Sequence, residues 1–203
     1  MGRRETSGDH EGRDDPARRA DEGTGLGGLF EDLEQQAAGF HLAERDAELA
    51  DRARGEYAAV SFASRVHASL GREVALTIGG GEVVEGTLLQ AGVDWCRLSG
   101  VGRTWLVRLG GVVTARGMSA RALPEAARPA VARLTFGSAL HRLAEESAEV
   151  LLHVETVGGL RVRVLRIGAD FVEVEPASAV PHAGGGTSTM LVPFAAVLAA
   201  RPA

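Results

Sequence analysis

EVALTIGGGEVVEGTLLQAGVDWCRL, residues Glu73–Leu98, returns as EVLLHVETVGGLRVRVLRIGADFVEV, residues Glu149–Val174, seventy-six positions later and without a gap. In both copies short apolar runs are broken by glycine, the pattern of β-strands joined by tight turns. Each copy ends in the same Gly-x-Asp-aromatic turn: Gly92, Asp94 and Trp95, then Gly168, Asp170 and Phe171. Two flanking segments repeat in the same order. SFASRVH (Ser61–His67) is echoed by TFGSALH (Thr135–His141), and VRLGGVVTAR (107–116) by VPFAAVLAAR (192–201). Three matched segments in one order indicate tandem duplication of a single module.

The module reads as one helix and five short strands. In the first copy the strands are Val74–Ile78, Val83–Leu89, Asp94–Leu98, Thr104–Leu109 and Val112–Ala115. In the second they are Val150–Val154, Leu160–Leu165, Asp170–Val174, Met190–Phe194 and Val197–Ala200. Gly86, inside the second strand, marks a bend or bulge. The predicted fold class is α+β, predominantly β: two helix-plus-five-strand small barrels in tandem, over 58–117 and 134–203. A connector over 118–133 joins them, and Pro124 and Pro129 leave room in it for at most one short helix. The extra residues of the second copy fall in the loop 175–189, EPASAVPHAGGGTST, a long glycine-rich connection.

Upstream, residues 1–27 carry almost no apolar side chains and are expected to be a disordered tail. An amphipathic helix is expected over 28–57. Leu33, Phe40 and Ala47 share one heptad position, and Leu29, Gln36, Ala43 and Ala50 share another. So narrow a stripe suits packing on the protein's own barrels or self-association. Gly55 is expected to bend or break this helix, with a second helix over Glu56–Leu70 stopped by Gly71.

The 203 residues are 45% hydrophobic but only 4% aromatic, so the core is built mostly from Val, Leu and Ala. A single cysteine, Cys96, excludes an internal disulfide and a cysteine-based zinc site. No apolar run reaches the length of a membrane span and no signal peptide opens the chain, so the expectation is a cytoplasmic protein without a membrane partner. All 22 basic residues are arginine. Residues 1–57 hold 8 Arg against 15 Asp and Glu, and the remainder holds 14 against 12, so the β-rich part is near neutral. A general nucleic-acid binder is more basic than this.

No P-loop, dinucleotide fingerprint, nucleophile elbow or metalloprotease helix is present. Catalytic, cofactor-binding and metal residues are therefore all expected to be none. Arg161, Arg163 and Arg166, on the second strand of the second copy, form the best candidate binding patch, set against a solvated outer face. Gly92, Asp94, Gly168 and Asp170 read as structural turns, with each aspartate bonding nearby backbone amides. His67 and His141 occupy one place in the two helices, where packing at the helix end suffices. Trp95 and Trp105 are candidate stacking residues, but both align with apolar positions and read as core. Cys96, aligned with Val172, reads as a small buried side chain.

The helix, the five bent strands, and Val84-x-Gly86-x-Leu88 followed by Asp94 resemble the Sm-like small-barrel family, with SH3-like barrels of similar size as the alternative. The whole chain also resembles proteins of actinobacteria. The family's second signature, an Arg-Gly pair, is approximated by Arg108, Leu109, Gly110 and Gly111 and replaced by Pro193 and Phe194 in the second copy. Val162 stands where the bend glycine would be. In that family RNA lies against the loops holding these signatures, so their degradation here leaves nucleic acid a possible but not favoured partner. The resemblance also implies pairing of strand four of one barrel with strand five of the next, which two linked copies can satisfy internally. The expected function is a non-enzymatic binding or scaffold protein with a protein partner or self-association through the N-terminal helix. A nucleic-acid-associated regulator is the alternative.

Overall fold

Valine- and leucine-rich runs with glycine at their ends leave little choice but short antiparallel strands. The computed structural model, which describes residues 16–177 and 189–203, contains ten of them among the described residues. The chain divides into two units, Met1–Ala59 and Val60–Ala203.

The described part of the first unit is one helix, α1 (Pro16–Ala58). It begins at Pro16 rather than near Gly28. Proline suits a first helical turn, where its missing N–H costs nothing, and Ala17, Arg18, Arg19 and Ala20 are good helix formers. It also runs through Gly55 instead of breaking there, since one glycine costs only about 1 kcal/mol relative to alanine. Residues 1–15 of the expected tail lie outside the described residues; 16–27 belong to α1. Leu33 and Phe40 of the heptad stripe are exposed, as are Leu49 and Tyr57.

The second unit starts with α2 (Phe62–His67), shorter than the helix expected over 56–70. The Ser61 hydroxyl caps it by accepting from the Ser64 N–H. Then come β1 (Glu73–Ile78), β2 (Val83–Ala91), β3 (Trp95–Gly100), β4 (Arg103–Arg108) and β5 (Val112–Arg116). The connector forms two 3-10 turns: Glu125–Ala127, between the two prolines, and Ala130–Arg133, after the second. The second half follows as α3 (Phe136–Glu146), β6 (Val150–Val154), β7 (Gly158–Ile167), β8 (Phe171–Pro176), β9 (Met190–Pro193) and β10 (Val197–Pro202). Residues 178–188 of the long loop are outside the described residues.

The fold is α+β and predominantly β. All ten strands join one antiparallel sheet in the order β5-β1-β2-β3-β4-β10-β6-β7-β8-β9, with β5 and β9 at the edges, and the sheet does not close on itself. Each half uses the same order, fifth-first-second-third-fourth. The second strand is bulged at matching places, Leu88/Gln90 in β2 and Val164/Arg166 in β7. The halves meet where β4 pairs with β10, Val107 opposite Ala199 and Leu106 opposite Ala200.

Two hydrophobic clusters lie on this sheet, and each half lends side chains to the other's. Leu106 and Trp95 of the first half pack with Phe136, Leu140, Leu152 and Val174. Leu198 and Ala199 of the second half pack with Val66, Leu76, Ile78 and Leu98. This exchange is why β10 lacks the usual alternation: Val197, Leu198, Ala199 and Ala200 are all buried, because both of its faces are covered. Cys96 is fully buried, and burial pushes its thiol up to about 12, so it acts as a small apolar residue.

Candidate functional site

The three arginines singled out by sequence lie along one exposed face of β7. Arg161 and Arg163 share it by the two-residue period, and the bulge at Val164/Arg166 returns Arg166 to the same side. None points at open solvent alone. Arg161 Nη1 lies 3.5 Å from Glu149, Arg163 Nη1 3.2 Å from Glu175, and Arg166 Nη2 2.8 Å from Glu173. Arg163 and Arg166 stand directly opposite their partners on β8, the arrangement in which opposite charges stabilise a sheet. The patch is therefore a ladder of ion pairs and not a surplus of positive charge. Sequence reasoning saw the arginines but not the register that supplies the carboxylates. In the cleft between α3 and β7, the Ser138 hydroxyl is 3.2 Å from that of Thr135 and His141 is 3.4 Å from Glu145. Among the described residues of this cleft, neither hydroxyl is bonded to the histidine or the carboxylate. Among the described residues no cluster of three or more His, Cys, Asp or Glu side chains is placed to hold a metal ion.

The two turn aspartates, equivalent in sequence, differ in structure. The backbone of each turn is the same: Gly92 N–H donates to Trp95 C=O and Gly168 N–H to Phe171 C=O, both at 2.9 Å. The Asp94 carboxylate, however, does not bond its own turn. It accepts the Phe136 N–H at 2.8 Å, forty-two residues on, at the start of α3. Beside it the Leu134 carbonyl accepts from Val93 N–H at 3.1 Å and from Trp95 Nε1 at 2.9 Å. The first turn thus clamps the beginning of the second half. In the second turn, Asp170 and Ala169 are exposed, and among the described residues neither the carboxylate nor the Ala169 N–H has a partner.

The histidines also part company. His141 is on the surface, while His67 is buried with Nε2 3.1 Å from Gly92 C=O; a carbonyl only accepts, so Nε2 carries the proton. Burial holds the His67 ring below its usual value of 6.5, against the opposing pull of that carbonyl, and the Arg128 charge adds to the lowering. A histidine missed in sequence, His153 on β6, bridges the halves. Its Nδ1 is 2.7 Å from Glu82, and its ring lies 4.9 Å from Trp105, over which the Arg201 guanidinium sits at 5.4 Å. Burial lowers its pKa too, Glu82 opposes this and Arg201 adds to it. Both rings are lowered, so the folded state prefers them neutral. Their contribution is complete above pH 6.5 and is lost as pH falls through the folded values. The thermal midpoint is expected to fall on acidification below 6.5. His67→Gln is expected to flatten that fall, as read by unfolding curves between pH 7.5 and 5.

Trp95 and Trp105 are both buried, which removes them as stacking platforms. Two apolar residues on the sheet edges stand apart from their counterparts inside the sheet. Leu106, in the β4–β10 junction, is 5% exposed, but its equivalent on edge strand β9, Leu191, is 65% exposed. Leu198, also in the junction, is 8% exposed, and its equivalent on edge strand β5, Val113, is 67% exposed. Both edge residues were readable as strand residues; only the comparison of partners marks them as unsatisfied. Among the described residues no helix is long and apolar enough to cross a membrane. Comparison with protein-family models and with curated proteins finds no match.

Proposed function

We propose that this protein is a non-enzymatic scaffold: two copies of an Sm-like small barrel, joined edge to edge, whose outer edges pair with further copies of the same chain. The observation that carries this reading is the exchange at the β4–β10 junction, where Leu106 and Leu198 are each buried in the other half's core, set against Leu191 and Val113 left exposed. β9 is the counterpart of β4 and β5 the counterpart of β10. The two edges of one chain therefore complement each other, and β9 of one copy meets β5 of the next. An exposed apolar edge strand is otherwise a liability that proteins blunt with charge or cover. The common strand order and the matched bulges support two copies of one barrel module, of Sm-like or SH3-like type.

The nucleic-acid alternative draws on the arginines of β7, whose charge is offset by Glu149, Glu173 and Glu175. It predicts salt-dependent binding of single-stranded RNA or DNA that Arg161→Glu with Arg163→Glu abolishes. Self-association through α1 is a separate route to an oligomer, and Leu33→Glu with Phe40→Glu removes it without touching the edges.

Sedimentation of the full chain tests the edges. The wild type is expected to assemble into multiples of 21.2 kDa. Leu191→Asp is expected to return it to a single chain that stays folded, because within one chain Leu191 is exposed and such a substitution moves stability by only about 0.5 kcal/mol. A wild type that stays a single chain at every concentration, or an assembly indifferent to Leu191→Asp, defeats the edge-pairing reading.

A further inference from the structure

The internal junction uses more than its edge strands. At the Gly92–Trp95 turn the Val93 N–H and the Asp94 carboxylate grip the backbone from Leu134 to Phe136, where the second half begins. In the second half, the same turn presents the same two groups, Ala169 N–H and the Asp170 carboxylate, exposed and without a partner among the described residues.

We infer that the Gly168–Phe171 turn is a receptor for residues Val60–Phe62 of a second copy of this chain. The inference rests on edge pairing and names its second point of contact. Val60, Ser61 and Phe62 are the counterparts of Leu134, Thr135 and Phe136. Their backbone already has the required shape: Ser61 has φ −81 and ψ 155, and Thr135 has φ −83 and ψ 166. Both residues cap the following helix through the same side-chain bond, Ser64 N–H to Ser61 Oγ and Ser138 N–H to Thr135 Oγ1. The burial differs as a missing neighbour requires, since Phe136 is 0% exposed and Phe62 is 40% exposed. In the docked pair the Ala169 N–H donates to the Val60 carbonyl, and the Phe62 N–H donates to Asp170. The Phe62 ring then lies toward Phe171, the counterpart of Trp95.

One contact is lost. Phe171 has no ring N–H, so the second bond that Trp95 Nε1 gives the Leu134 carbonyl at 2.9 Å has no equivalent. The contact between chains is therefore weaker than the one within the chain, which suits an assembly that comes apart. The turn and the edge act together: a chain whose β9 meets β5 of the next brings its own Asp170 to that chain's α2, as β4 and Asp94 meet β10 and α3.

The test compares full-length variants by sedimentation and by hydrogen exchange of residues 168–171. Asp170→Ala and Phe62→Ala are each expected to weaken assembly about tenfold, the effect of one charge-assisted hydrogen bond or one desolvated ring. The Ala169 amide is expected to be protected in the wild-type assembly and not in the Leu191→Asp single chain. If the wild type assembles and Leu191→Asp disperses it, yet both variants assemble within twofold of wild type and Ala169 exchanges freely, the receptor is disproved while edge pairing stands. If the wild type never assembles, edge pairing itself fails and the receptor with it.

Discussion

Gly86→Val is expected to destabilise the sheet by about 3 kcal/mol. A Cβ at Gly86 would sit 2.2 Å from the Ser99 carbonyl oxygen and 2.8 Å from the Gly100 amide nitrogen, contacts that only backbone movement relieves. The approach is mutual, since a Cβ on Gly100 would meet the Glu85 carbonyl oxygen at 2.6 Å. β2 and β3 cross closely here because both residues lack a side chain. The equivalent position on β7 is Val162, fully buried and opposite Pro176, so the second half tolerates there what the first cannot. Overpacking costs about 1–3 kcal/mol, and a clash that only backbone can relieve belongs at the upper end of that range. Chemical denaturation measures it, with Gly159→Ala as the control: a Cβ there meets only the Leu151 side chain at 3.5 Å, an ordinary contact. A loss under about 1 kcal/mol for Gly86→Val would mean the strands are not so close.

Ala200→Asp is expected to be as damaging, and to act on both halves. Ala200 is fully buried in β10, opposite Leu106 on one side and Leu152 on the other, in the cluster with Phe136 and Leu140. A carboxylate there has no partner, and an uncompensated buried charge costs about 3–5 kcal/mol. The loss is greatest at neutral pH and smaller at pH 4, where the new acid takes up a proton. Because β10 carries residues of both clusters, one cooperative transition is expected to move as a whole. Thr114→Asp, on the exposed counterpart strand β5, is expected to leave the single chain within about 0.5 kcal/mol of wild type. Equal losses for the two variants would remove the distinction between a covered junction and an open edge.

Much of this was legible in the sequence. The repeat at Glu73 and Glu149 together with the segments flanking it located every strand, and β6 has the expected bounds, because alternation and glycine turns are local signals. The burial of Cys96, Trp95 and Trp105 followed from alignment with Val172, Phe171 and the apolar residues around Met190. What stayed hidden depends on distant partners. The pairing of β4 with β10 was expected from the family resemblance and is present, but the residues VLAAR themselves give no sign of it, since burial on both faces erases alternation. Asp94 looked like a self-contained turn residue, yet its partner is the Phe136 amide. Arg166 and Glu173 meet only because a bulge shifts the register of β7. The helix over 28–57 was placed by its heptads, which say nothing of where the backbone starts, so the start at Pro16 was missed. The outer-edge site became visible only once Leu106 and Leu198 were seen buried, because exposure of Leu191 and Val113 has meaning by contrast.

Pairing of β9 with β5 fixes a register. Val107 faces Ala199 inside the chain, so the counterparts Val192 and Thr114 must face each other between chains. Opposed residues of an antiparallel pair lie about 4.5–5.5 Å apart at Cα, within reach of a disulfide. Thr114→Cys and Val192→Cys change each side chain little, and Cys96, its thiol pushed up to about 12, stays unreactive beside them. The two variants, purified separately as full chains, are mixed and oxidised. A disulfide-linked pair formed in the mixture, and not by either variant alone, is the predicted result. Two folded variants that stay unlinked when mixed would contradict head-to-tail assembly.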